Sequence, residues 1–272
     1  MIDFRCTKRD KNRTPIVRNE ELWEYAESHV GDYKPSLLKE PGAINSINFL
    51  ESYLGANVDY QDIYYNEGES PIAGATVFND DRILVFNREG LCVNSIDVPA
   101  DTIILDNATM KDGSEGFALF TALHEGGHFS MHKEVYKKIQ NQISFFDDEK
   151  GGNNVICCRK SNIGRIKTGF KAFTPEMSRE HQANVYAAFV AMPRQTFIPL
   201  AHELIKDIGF EDGIFIYDDR EWESDYALGK ITEEIHDVYG VSKTAAKIHL
   251  KELKLMLTKD ELEQKLAQAT LF

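Results

Sequence analysis

The amino-acid sequence predicts an α+β fold in which a small sheet precedes a histidine-bearing helix and mostly helical regions flank both ends. Three observations predict it. Short strand-like runs cluster between residues 75 and 105, apolar residues recur at helical spacing before and after them, and a turn-rich stretch over 106–116 leads from strands into helix.

The elements follow in order. Leu22, Trp23, Tyr25 and Ala26 predict a helix over 19–30, interrupted at 35–38. A second helix is expected over 44–54, where Ile44, Ile47, Phe49, Leu50 and Leu54 recur at helical intervals before Gly55. Strands are expected over 75–78 and 82–86, with Asn79, Asp80 and Asp81 forming a hairpin between them, and a third over 102–105. Residues 117–132 have Leu119, Phe120, Leu123 and His128 spaced for an amphipathic helix. The stretch 142–174 is polar apart from strand-like runs at 155–158 and 163–166. Thr174-Pro175-Glu176 then places a cap before a proline at the first helical position, and Met192-Pro193 closes that helix. The remainder is expected to be helical, with helices over 231–239 and 243–255 separated by Gly240-Val241-Ser242.

These runs divide the chain into a helical region over 1–70, a core over 71–200, a helix-turn-helix-like region over 201–258 and a tail over 259–272. With 272 residues, 42% of them apolar, the chain is long enough for a packed core without staples. The four cysteines, Cys6, Cys92, Cys157 and Cys158, form no CxxC pair, which argues against a disulfide framework and for reduced thiols in the cytoplasm. No run approaches the length of a membrane span, so no membrane partner is expected. A net charge of −13 opposes attraction to polyanions and makes nucleic acid an unfavoured partner.

The sharpest chemical signal is His124-Glu125-Gly126-Gly127-His128. On a helix, residues four apart lie on one face about 6 Å apart, so both imidazoles can hold one ion. Glu125 then lies near a water whose pKa the ion lowers to about 7, which makes it the candidate catalytic base. Two unpaired histidines would be a costly use of buried positions on such a helix. Gly126 and Gly127 oppose helix formation by about 1 kcal/mol each, which close approach of another backbone or of the strands would explain.

A catalytic zinc needs a third protein ligand. His132 lies about 12 Å along the helix from His124, too far to share its ion. Glu180 is the preferred candidate, on a helical face with Asn184, Ala187 and Ala191, and its neighbour His181 is the rival. The small residues allow close packing against the first helix, and Asn184 is placed to orient a ligating imidazole.

These residues resemble the ImmA/IrrE metallopeptidases. That family pairs an HExxH helix with a later E-x-x-A-N/D-x-(F/Y)-A-A-x-(L/V)-x-M-P helix. Glu180 to Pro193 follows the second pattern closely, His132 stands four residues after the first, and Gly240-Val241-Ser242 to Leu253 resembles the family's C-terminal stretch. The likeness covers residues 72–256, with Gly126 in place of a bulky apolar residue and a longer region ahead of the core. It implies a zincin-like core with His124, His128 and Glu180 as metal ligands and Glu125 as base. The ion would be Zn2+, with Mn2+ as the alternative, and the activity cleavage of a DNA-binding repressor. An acidic enzyme fits a basic helix-turn-helix repressor as its protein substrate.

Secondary features have plainer readings. Lys243, Lys247, Lys251 and Lys254 invite a DNA-binding regulator as the alternative function, against simple packing of Ile231, Ile235, Val238, Ala246, Leu250 and Leu253 with solvated lysines. Cys157 and Cys158 point to opposite faces of a strand and are expected as buried or free thiols. Tyr186 and His181 are both candidates for stabilising an oxyanion.

Overall fold

In the computed structural model, residues 1–111, 113–136, 155–163 and 174–263 are described. The fold is mixed α and β with small sheets, as the sequence predicts. Helix α1 covers Asn19–Tyr33, and a short helix α2 at Ser46–Asn48 runs into a π-helical turn over Phe49–Leu54. That turn ends at Gly55, whose φ of 75° supplies the left-handed cap expected there.

Strands β1 (Asn57–Gln61), β2 (Ile72–Val77), β5 (Thr102–Asp106) and β6 (Val155–Arg159) form one sheet in the order β1-β5-β2-β6. Strands β3 (Asp81–Asn87) and β4 (Cys92–Val98) form a separate ribbon. The expected hairpin through Asn79–Asp81 is therefore corrected: β2 pairs with β5 and β6, and β3 pairs with β4. The reversal sits one strand later, where Asn87 Oδ1 accepts from the backbone N–H of Glu89 and Gly90, both at 2.9 Å. β4 escapes sequence reading because Asn94, Ser95 and Asp97 interrupt its apolar pattern and most of it is exposed.

Alternation along β2 decides what the sheet presents to each side. Ala75 and Val77 join Ile63, Ile83, Val85, Val98 and Ile104 in a small core under the ribbon. Gly74 and Thr76 face the other way, toward helix α3 (Glu115–Tyr136). Register pairs Gly74 with Cys158 and Thr76 with Ile156, so these two β6 residues share the α3 side. β6 is a terminal strand of the sheet, with no strand paired to its outer edge among the described residues.

Helix α4 (Pro175–Ala191) has the predicted bounds, and the Thr174 hydroxyl accepts from Met177 N at 3.2 Å. It crosses α3 closely at Gly127, where an added Cβ would stand 3.1 Å from Ala183 Cα and 3.1 Å from Tyr186 Cδ1. At Gly126 the same atom would meet Leu50 Cδ2 at 2.7 Å. The paired glycines thus let α3 approach the α4 backbone on one side and the π-helical turn on the other, rather than the N-terminal strands.

Beyond α4 come α5 (Arg194–Asp207), β7 (Phe215–Tyr217), α6 (Trp222–Tyr239), α7 (Lys243–Glu252) and β8 (Met256–Thr258). The parallel β7 and β8 pair corrects the expectation of an all-helical remainder. Gly240, at φ 69°, ends α6, and the Ser242 hydroxyl caps α7 by accepting from Ala245 N at 3.1 Å. The strand expected at 163–166 and the tail from 264 onward fall outside the described residues, except Ile163, which lies in a turn.

One continuous core joins the regions that the sequence separates. Leu22 and Val30 of α1, Leu123 and Phe129 of α3, Phe189 of α4, Ile231 and Ile235 of α6 and Leu250 of α7 belong to a single buried cluster. Each such side chain contributes roughly 1.5–3 kcal/mol of burial. Arg194 adds a charged tie, with Nη2 2.7 Å from Glu27 Oε2 and Nε 2.9 Å from Glu27 Oε1, which fastens α5 to α1.

Candidate metal centre

The centre lies where α3, α4 and β6 meet. His124 and His128 are one helical turn apart on α3, fully buried, with their Nε2 atoms 3.0 Å apart. Glu180 of α4 closes on both: Oε2 is 3.6 Å from His124 Nε2 and Oε1 is 3.3 Å from His128 Nε2. The structure thus brings together the three residues named from sequence. His181 is turned away, with Nε2 3.0 Å from Asn19 Oδ1, and Tyr186 places its hydroxyl 2.7 Å from His29 Nδ1. Neither is at the centre.

Two backbone carbonyls fix which imidazole nitrogens carry the protons. The Asn162 carbonyl can only accept, so the Asn184 amide nitrogen, 2.9 Å away, must donate to it. Asn184 Oδ1 is then the atom facing His124 Nδ1 at 3.0 Å, and His124 carries its proton on Nδ1. On the other side Gln182 Nε2 donates to Pro15 O at 2.7 Å, which turns Oε1 toward His132 Nε2 at 2.9 Å. His132 Nδ1 is left as acceptor, 2.9 Å from His128 Nδ1, so His128 also carries its proton on Nδ1. Both Nε2 atoms therefore present lone pairs to the centre.

Two lone pairs 3.0 Å apart need a positive charge between them. Burial depresses the His124 imidazole, but Glu180 outweighs burial and leaves its pKa raised, so the surroundings favour positive charge at this point. His128 is lowered, chiefly by burial. Burial pushes Glu180 up, but the adjacent His124 and His128 outweigh it and hold the carboxyl well below its ordinary range. A metal ion would supply that positive charge, and two imidazole nitrogens with a carboxylate are a zinc donor set. The residues fit the ion that the sequence implies.

Glu125 lies beside the histidines, fully buried, facing the sheet. Its Oε2 accepts from the Thr76 hydroxyl at 2.7 Å, and its Oε1 has no hydrogen-bond partner among the described residues. A Cβ on residue 74 would stand 2.8 Å from Oε1, so Gly74 is the residue that leaves room for this carboxylate. Burial pushes the Glu125 pKa up to about 7, tempered by His124 and Thr76. A carboxylate near 7 is matched to exchanging protons at neutral pH.

Sequence reasoning did not place Gly74, Thr76, Gln182, Pro15 or Cys158 here. The Cys158 thiol is fully buried, with Sγ 3.1 Å from His124 Nε2 and 3.5 Å from Glu180 Oε2. Its position was readable only from the strand register, since β6 and β2 are far apart in the chain. Cys157 faces the opposite side and is exposed, as the alternation predicts.

Two surface concavities, one at the base of the β3–β4 ribbon (Asp80, Asp81, Arg82, Asp97) and one between α5 and α6 (Leu204, Tyr226, Ile231), include no residue of this centre. No helix among the described residues is long and apolar enough to cross a membrane. No protein-family model matches the chain, and no curated protein matches it.

Proposed function

We propose that the chain is a zinc-dependent endopeptidase of the ImmA/IrrE kind, with His124, His128 and Glu180 as metal ligands and Glu125 as base. The observation that carries this reading is the convergence of both Nε2 lone pairs and the Glu180 carboxylate on one buried point, with Glu125 alongside. When bound, zinc supplies Lewis-acid polarisation of the scissile carbonyl and of the attacking water.

The chain's own groups supply the rest. Glu125 Oε1, without a partner among the described residues, takes a proton from water and returns it to the leaving amine, while Thr76 holds Oε2 in place. Asn184 and His132 keep the two ligating rings in the tautomer that faces inward. β6, with its outer edge unpaired among the described residues, offers backbone groups to an extended peptide beside the centre. The net charge of −13 favours a basic substrate, which suits a helix-turn-helix repressor cut at an exposed linker.

The rival reading, a metal-containing regulator that binds DNA through α6 and α7, gains little from the lysines. Lys243 pairs with Glu233 at 2.5 Å, and Lys247 lies 4.6 Å from the Tyr217 ring centroid. α7 is also anchored inward, since His249 Nε2 donates to Met192 O at 2.9 Å. Incubating zinc-loaded protein with a bacterial lysate and mapping new N-termini tests the proposal. One dominant product from a basic DNA-binding protein, absent with Glu125→Gln, is the expected result; new termini that persist with Glu125→Gln reject Glu125 as base.

A further inference from the structure

We propose that Cys158 is a fourth ligand of the metal centre, so that the resting centre is closed by four protein donors and water gains a coordination position only when the thiolate leaves. This rests on the reading that His124, His128 and Glu180 hold an ion.

The geometry carries it. Ligand atoms of His124, Cys158 and Glu180 all lie within 4.8 Å of one another. His128 is outside that triplet but joins the same centre through the other Glu180 oxygen and through His124. In a tetrahedral shell with Zn–N about 2.05 Å and Zn–S about 2.3 Å, neighbouring donors stand roughly 3.3–3.6 Å apart. The contacts observed are His124–His128 at 3.0 Å, His124–Glu180 at 3.6 Å, His128–Glu180 at 3.3 Å, Cys158–His124 at 3.1 Å and Cys158–Glu180 at 3.5 Å. These contacts gather His124, Cys158 and the Glu180 carboxylate about one point, the two short ones at His124 Nε2 lying inside the spacing of a filled shell and His128 meeting the other Glu180 oxygen.

The strand fixes the thiol there. β6 alternation turns Cys158 inward and Cys157 outward, and the register sets Cys158 opposite Gly74, the residue that makes room for Glu125. The thiol therefore stands on the same side of the sheet as the base. A zinc site that works on a substrate keeps one position open, whereas one with four protein ligands is closed. Occupation by Cys158 makes this centre closed at rest, and departure of the thiolate opens it.

Cobalt(II) loading of the full chain tests this, because thiolate ligation gives a charge-transfer band in the near ultraviolet. The wild type and Cys157→Ala should show that band, while Cys158→Ala and Cys158→Ser should lose it and keep the visible ligand-field bands from the remaining donors. Losing an inner ligand should weaken metal binding by at least about tenfold. Acetohydroxamate should perturb the cobalt spectrum of Cys158→Ala and leave the wild type unchanged. Stoichiometric cobalt without the thiolate band, or equal response of both proteins to acetohydroxamate, overturns the role of Cys158 while leaving the metal centre standing. A wild-type chain that binds no cobalt overturns both.

Discussion

Gln182 donates to the Pro15 carbonyl at 2.7 Å, and this hydrogen bond decides which nitrogen of His128 carries its proton. The link runs from Pro15 through Gln182 and His132 to His128 and ties the N-terminal segment to the site. Replacing Gln182 by leucine removes the acceptor that orients His132. Zinc affinity, measured by competition with a chromophoric chelator, should fall by about 10–100-fold. Asn184→Leu should cost a similar factor through His124, and an unchanged affinity in both variants would refute the relay.

The two glycines of the motif should respond differently to alanine. At Gly127 the new methyl would meet the Ala183 backbone, which cannot yield, so Gly127→Ala should destabilise by about 1–3 kcal/mol. At Gly126 it would meet the ends of the Leu50 and Leu54 side chains, which can move. Helix propensity favours alanine over glycine by about 1 kcal/mol, so Gly126→Ala should be nearly neutral. Denaturant unfolding of both variants checks the ranking.

Much of this was legible in the sequence, and the limits have physical causes. Helical spacing and caps are local signals, which is why α4 is legible over Pro175–Ala191. His124, His128 and Glu180 were legible because their spacing repeats with the helix. Strand pairing was not, because β2 finds its partners in β5 and β6 rather than in the neighbouring β3. Gly74, Thr76 and Cys158 belong to the site only through that pairing. The short strand β1, with Asn57, Asp59 and Gln61 among its five residues, carries too little apolar pattern to be seen.

Gly74→Ala should separate binding from chemistry. The three nearest atoms to a methyl there would all be Glu125 atoms, Oε1 at 2.8 Å, so the substitution bears on the proposed base rather than on His124, His128 or Glu180. Zinc content should be retained while peptide cleavage falls by about 10²–10⁴-fold, the range for a lost general base. Loss of zinc along with cleavage would show instead that residue 74 acts on the ligands.

Stability of the metal-free protein should carry the signature of Glu125. The folded carboxyl stays protonated up to about pH 7, while the unfolded one ionises above its ordinary value of 4.5. The folded state therefore holds the extra proton between these values, and its stability falls as pH rises through that window, by roughly 3 kcal/mol from this group. Buried His29 and His249, depressed to about 4 and about 3, act oppositely: the unfolded state takes up their protons below 6.5, so stability falls as pH drops. The difference between wild type and Glu125→Gln isolates the first effect. With chelator present, the variant should gain on the wild type from pH 4.5 to 7, and a pH-independent difference would contradict the burial of an ionisable group there.

The measurement that tests the central claim most directly is zinc titration of the metal-free chain alongside Glu180→Ala, His128→Ala and His181→Ala. One tight equivalent in the wild type and in His181→Ala, lost or strongly weakened in Glu180→Ala and His128→Ala, is the predicted result. A wild type with no tight equivalent, or zinc kept by Glu180→Ala and lost by His181→Ala, would contradict it.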